Sequence, residues 1–221
     1  MCVGQAKPLT VHHVRENYYR TITLFMKYVK ADKKTVSMEN QVKIAVRNQV
    51  LMLTMFLGAL RSSEVVKLAW SDLKQGKHGD HKVLSLNLGK TKADQLALNE
   101  PLLIVVQEEE ALNIMGNLEM LKMRWGFKEE GIIFKQLNGS PLKSTTTSGI
   151  IRKCLDGIVP AAELSSYSSH SARRGSATTA AAAGASLEEV MGLGRWKTES
   201  SARLYIANKA QKQVSASLKL R

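Results

Sequence analysis

Four residues near the C-terminal end, His170, Arg173, Trp196 and Tyr205, are of types that could together handle a phosphate. A guanidinium can fork two N–H groups onto phosphate oxygens, while imidazole and indole can each donate one hydrogen bond. The Tyr205 hydroxyl could attack phosphorus. Upstream, Arg61 offers a second guanidinium, and the segment GKTKAD exposes Lys90 and Lys92. Phosphodiester cleavage calls for this kit: oriented positive donors where charge builds, an in-line nucleophile, and an acid for the leaving oxygen. Singly, each residue has a plainer explanation. Trp196 and Tyr205 read as core aromatics, Arg61 as a surface partner of Glu64, and the two lysines as a solvated turn. The set in one order is what points to chemistry.

The elements that must position these residues are mostly helical. Residues 11–30 carry Tyr18, Ile22, Phe25, Met26 and Val29 at helical spacing, and Ala31–Ser37 reads as a polar linker. A strong helix follows, with Val42, Ala45, Val46, Gln49, Val50, Leu53 and Leu57 recurring every three or four residues up to Gly58. Ser62 or Ser63 can cap a short helix containing Glu64. The segment KQGKHGDHK reads as a basic loop, Lys82–Leu88 as a strand and Gln95–Leu98 as its hairpin partner. Pro101 suits the first turn of a long helix through about Arg124. Further helices are expected over Ser144–Asp156, Ser171–Gly184 and Leu187–Met191, the last capped by Ser186, and a final one from Thr198 contains Tyr205. The expected fold is mainly α with one small antiparallel β-sheet or hairpin.

Composition narrows the class of partner. The 221 residues include 32 Lys plus Arg against 19 Asp plus Glu, a formal charge of +13. That surplus favours polyanions, nucleic acid before anionic membrane. Two cysteines, Cys2 and Cys154, are too few for a disulfide scaffold or a cysteine-built zinc site. The longest uncharged apolar run, Val50–Leu60, falls well short of the ~20 residues a bilayer requires. The first residues lack the apolar stretch of a signal peptide. A soluble, intracellular protein is expected, with no membrane partner.

Three segments resemble the motifs of the tyrosine recombinases, the phage integrase family. GALRSSEVVKLAWSDL is similar to the first arginine box, R-x-x-E followed by L-x-W-x-D. SHSARRGSATTAAAAG is similar to the H-x-x-R box in Cre-like wording, and GRWKTESSARLYI to the end of the catalytic domain, with tryptophan where many integrases have histidine. The likeness spans about residues 42–206, and three boxes in order are far more specific than any one.

The resemblance implies the tyrosine recombinase catalytic-domain fold and a role for each residue. Arg61 and Arg173 would clamp the scissile phosphate, with His170 and Trp196 completing the pocket and Glu64 supporting the donors. Lys92, or alternatively Lys90, would be the general acid. Tyr205 would form a 3′-phosphotyrosyl bond, later displaced by a DNA 5′ hydroxyl, so that neither a metal nor another cofactor is implied. Residues 1–37 would be an N-terminal helical arm, or the remnant of a core-binding domain plus linker. Residues 38–221 would form the catalytic domain with its tail. The implied partner is double-stranded DNA, held by a homo-tetramer. The compartment would be the nucleus for a eukaryotic mobile element of DIRS-like type, and otherwise the cytoplasm. The alternatives are a DNA-binding fragment with weak or lost catalysis, a type IB topoisomerase-like activity, and a non-enzymatic helical regulator. Without DNA, the Tyr205 helix is expected to be mobile enough to lie off the cleft.

Overall fold

A computed structural model describes residues 6–89 and 100–206 of the chain. Its central element is the helix α2, Val36–Leu57, which follows α1, Val11–Lys30. Every residue from Val46 to Phe56 is buried, so the second half of α2 is enclosed on all sides rather than amphipathic. Thr35 caps α2 by accepting a hydrogen bond from the Met38 N–H at 3.2 Å. Thr10 caps α1 in the same way, through the His13 N–H at 3.3 Å. The α1 side chains Val14, Asn17, Tyr18 and Thr21 are buried, and Asn17 donates to Gln49 on α2 at 2.6 Å. These contacts join α1 to the same core. Among the described residues, no helix is long and apolar enough to cross a membrane.

The short helix α3, Ser62–Val65, leads to a three-stranded antiparallel sheet, β1 (Leu73–His78), β2 (His81–Leu86) and β3 (Leu102–Val105), in that spatial order. Two expectations for this region were wrong. The basic segment read as a loop holds all of β1 except Leu73, together with the first two residues of β2, joined by the tight turn Gly79–Asp80 with His78 opposite His81. β1 is an edge strand exposed along almost its whole length, so it shows no inside–outside alternation, and its lysines protect the open edge. The segment after Pro101 forms β3 instead of a long helix, because Leu102–Val105 pairs with β2 and buries Ile104. The helix α4, Ile114–Trp125, starts only after Asn113, whose side chain accepts from the Gly116 N–H at 3.0 Å. The proposed hairpin partner Gln95–Leu98, with Lys90 and Lys92, lies outside the described residues.

The rest of the chain is helical: α5 (Thr147–Leu155), α6 (His170–Ala182), α7 (Leu187–Gly194) and α8 (Glu199–Arg203). Ser186 caps α7 as expected. Tyr205 differs from expectation in lying just past the end of α8, a helix of five residues. The buried apolar residues fall into two clusters. The larger one gathers α2, the sheet, α4 and α5 and includes Ala172 of α6. The smaller one comprises Ala177, Val190, Trp196 and Ala202, with Tyr205 packed against it. Helix α6 therefore runs through both, and the candidate site forms where the two cores meet.

Candidate active site

Arg61 sits where α2 has ended and α3 begins. The intervening Ala59 has a left-handed backbone, φ 45°, a conformation that costs a non-glycine residue ~1–2 kcal/mol. This bend turns the Gly58 and Ala59 carbonyls towards two arginines from the C-terminal half of the chain. It is not Ser62 or Ser63 that caps α3: the Glu64 carboxylate accepts from the Arg61 backbone N–H at 2.8 Å. The other Glu64 oxygen accepts from Arg61 Nη1 at 2.6 Å. Glu64 thus fixes both ends of the first arginine.

Arg173 emerges from the first turns of α6 and is 1% exposed. Its Nη1 donates to the Ala59 carbonyl and its Nη2 to the Gly194 carbonyl. The guanidinium carbon lies 4.3 Å from the Trp196 ring centroid and 5.4 Å from that of Tyr205. Both geometries suit a cation over an aromatic face. Trp196 can lie there because the chain offers no side chain at Gly194. A Cβ at that position would come within 1.8 Å of the indole. The Trp196 and Tyr205 centroids are 4.9 Å apart.

Tyr205 does not lie off the pocket. Its hydroxyl is 3.4 Å from His170 Nδ1, and its carbonyl accepts from Thr178 of α6 at 3.3 Å. Arg174, also on α6, donates to the adjacent Leu204 carbonyl at 3.2 Å. The structure therefore brings His170, Arg173, Trp196 and Tyr205 into one cluster, with Arg61 and Glu64 beside it. The two candidate lysines are not among the described residues.

Electrostatics follow from this crowding. Burial, together with the like charges of Arg61 and Arg195, pushes Arg173 well below the usual arginine range, although Glu64 opposes the shift. Burial also lowers His170, helped by Arg173 and Arg61, so the neutral imidazole is favoured at pH 7, and in the tautomer with its proton on Nε2 the Nδ1 atom can accept. Burial disfavours the Glu64 carboxylate, but Arg195 and Arg61 outweigh it and hold the group below the ordinary carboxylate range. The cluster is a desolvated positive pocket, suited to an anion that brings compensating charge.

Arg195 also joins this cluster, and sequence reasoning missed it. Its Nη2 donates to Glu64 Oε2 at 2.9 Å and its Nη1 to the Gly58 carbonyl at 3.1 Å. In the sequence it is one basic residue among many. The available signal was Glu64 itself, since a buried carboxylate has more acceptor sites than Arg61 can fill.

Glu64→Gln is expected to lower stability by about 2 kcal/mol at pH 7. That lies between an exposed pair and a fully buried one, because both arginine partners remain partly exposed. The folded carboxyl titrates below its unfolded value of about 4.3. The advantage of wild type should hold from pH 7 to 5 and shrink as pH falls below the unfolded value and on through the folded one. Urea melts across this range test it. Equal stability at pH 7, or a gap undiminished at pH 3, would contradict the assignment.

No curated protein sequence matches the chain. Several solved structures share its fold. A XerH site-specific recombinase, in a post-cleavage complex with palindromic difH substrate, aligns with a TM-score of 0.62 at 15% identity, covering 95% of this chain and 51% of that one. XerA recombinase aligns at 0.58 and 11% identity, covering 97% and 66%. A lambda integrase dimer bound to a COC′ core site aligns at 0.53 and 15% identity, covering 93% and 61%. The chain thus spans about half the length of the XerH protein. The model of the phage integrase family matches residues 13–212, nearly the whole chain. With the helical fold and its small antiparallel sheet, this match establishes that the chain belongs to the phage integrase family, the tyrosine recombinases.

Proposed function

We propose that the protein is a site-specific DNA recombinase that cuts and rejoins strands through a phosphotyrosyl link. One observation carries this reading: the Tyr205 hydroxyl lies 3.4 Å from a neutral histidine nitrogen, with its ring against a buried arginine. In the first step the Tyr205 oxygen bonds to phosphorus and the bond from phosphorus to the 5′ oxygen breaks. The tyrosine proton passes to His170 Nδ1, and the leaving 5′ oxygen takes a proton from Lys92, or from Lys90 in its place. Arg61 and Arg173 hold the non-bridging oxygens, where charge builds in the transition state. In the second step a DNA 5′ hydroxyl attacks the same phosphorus, loses its proton to the lysine and releases tyrosine, which recovers its proton from His170. The energy of the broken bond stays in the phosphotyrosyl link, so rejoining consumes no nucleotide.

Arg173 is enclosed by Trp196 and Tyr205, so an incoming phosphate reaches it only as the Tyr205 ring turns away. The same turn would bring the phenol towards phosphorus with the imidazole still in reach of its proton. The +13 charge supplies sequence-independent attraction to the duplex. Exchange between two duplexes requires four such sites, which a homo-tetramer on DNA provides.

The test is covalent trapping. The protein is incubated with nicked duplexes randomised around the nick, so that the short cleaved fragment diffuses away. Denaturation-resistant adducts are then digested and mapped by mass spectrometry. A 3′-phosphotyrosyl link at Tyr205, on a restricted set of sequences, is expected. No adduct would leave a protein that only binds DNA. Relaxation of a supercoiled plasmid without sequence preference would indicate a topoisomerase instead.

A further inference from the structure

We infer that Arg195 is a positioning residue, holding the segment that carries Trp196 and Tyr205 against the loop that carries Arg61. This builds on the recombinase reading but rests on separate observations. Trp196 and Tyr205 belong to the smaller apolar cluster, whereas the loop Gly58–Arg61 closes the larger one. Among the described residues, two arginines bond to the loop Gly58–Arg61 or to Glu64 beyond it and also belong to, or bond to, the segment leading into Trp196. Arg173 reaches Ala59 on one side and Gly194 on the other. Arg195 reaches Glu64 and Gly58 from the residue directly before Trp196.

The two ties are not equivalent. A phosphate bound to Arg173 competes for N–H groups that now hold the two carbonyls. The contacts of Arg195 run to Glu64 and to the Gly58 carbonyl, so they persist when Arg173 turns to substrate. Through Glu64, Arg195 also connects to both the backbone and the side chain of Arg61. One carboxylate thereby sets the distance between the first clamp arginine and the tryptophan wall.

Backbone geometry gives independent support. Arg195 ends α7 in a left-handed conformation, φ 54°, at a position where glycine is favoured. Placing an arginine there strains the backbone, because its Cβ crowds the following carbonyl oxygen. Its bonds to Glu64 and Gly58 offset that strain, because they are charge-assisted and partly buried. A lysine could reach one acceptor but lacks the planar fork needed to hold both.

The experiment labels the 221-residue protein with 5-fluorotryptophan and uses Trp196→Phe to assign the Trp196 line among the three fluorine resonances. In Arg195→Ala the Trp196 line should shift or broaden while those of Trp70 and Trp125 stay in place. On the nicked duplexes, single-turnover adduct formation should fall by about 100-fold, the effect of a reacting group misplaced by ~1 Å. DNA affinity should change little. Arg195→Lys should recover part of the rate and part of the shift.

Wild-type rates with an unmoved Trp196 line would overturn the inference. So would a lower rate with that line unmoved, which would make Arg195 a direct substrate contact, and so would a moved line with an unchanged rate. Loss of all three native lines in both variants would reduce Arg195 to a general prop of the fold. If wild-type protein forms no adduct while the Trp196 line still responds to Arg195→Ala, the positioning stands and the recombinase reading fails.

Discussion

Tyr205→Phe is expected to reduce the covalent DNA adduct below detection while leaving the fold and non-covalent DNA binding almost unchanged. The prediction separates two things the tyrosine does. Its ring packs against Trp196 and sits over Arg173, and phenylalanine keeps both contacts. Its hydroxyl meets His170 at 3.4 Å, too long for a strong hydrogen bond. Losing that contact should cost no more than ~0.5–1 kcal/mol of stability. The phenol oxygen, in contrast, is removed outright, and none of His170, Arg173 and Trp196 carries a hydroxyl. Adduct yield, filter binding and thermal melts of the two proteins measured together provide the check. Undiminished adduct in Tyr205→Phe would remove Tyr205 from the chemistry, and a large loss of stability would make its hydroxyl structural.

The boxes were readable because their residues are chemically distinctive and close in sequence. His170 and Arg173 stand one helical turn apart, and Trp196 and Tyr205 follow within the same short module. The structure gathers them as the motif order implied. Helices with buried faces were also readable, α2 above all, because its enclosed second half writes a long, mostly apolar run into the sequence. The failures have physical causes too. β1 carries no apolar signal because both of its faces meet solvent, and β3 was mistaken for helix because its apolar run gains strand character only by pairing with β2. Arg195 could not be read from spacing at all. Its role arises from Glu64, 131 positions away, and from a left-handed turn that favours glycine. Long-range polar bridges of this kind leave no periodic trace.

Arg173→Met is expected to lower the rate of adduct formation by about 10²–10³-fold, the usual loss when a preorganised donor is removed from a developing negative charge. Its effect on stability should be far smaller than its burial suggests. Arg173 is 1% exposed, and burial with the nearby Arg61 and Arg195 charges disfavours its cation. Methionine removes that penalty and fills much of the same volume with a flexible apolar chain. Against this, the Ala59 and Gly194 carbonyls lose their donor, at ~1–3 kcal/mol for each that stays dry. The opposing effects should leave the unfolding free energy within about 2 kcal/mol of wild type, because the relieved desolvation of the cation offsets the loss at the two carbonyls. Single-turnover trapping and urea melts on the same preparations would show whether rate and stability part company. A rate within tenfold of wild type would mean that the buried guanidinium does not meet the phosphate. Unfolding of the variant would mean that its bonds to the two carbonyls outweigh the cost of its charge. The expected outcome is a stable, inert protein, because a cation kept out of water against its own preference is held ready for an anion, and in the proposed mechanism that anion is the scissile phosphate.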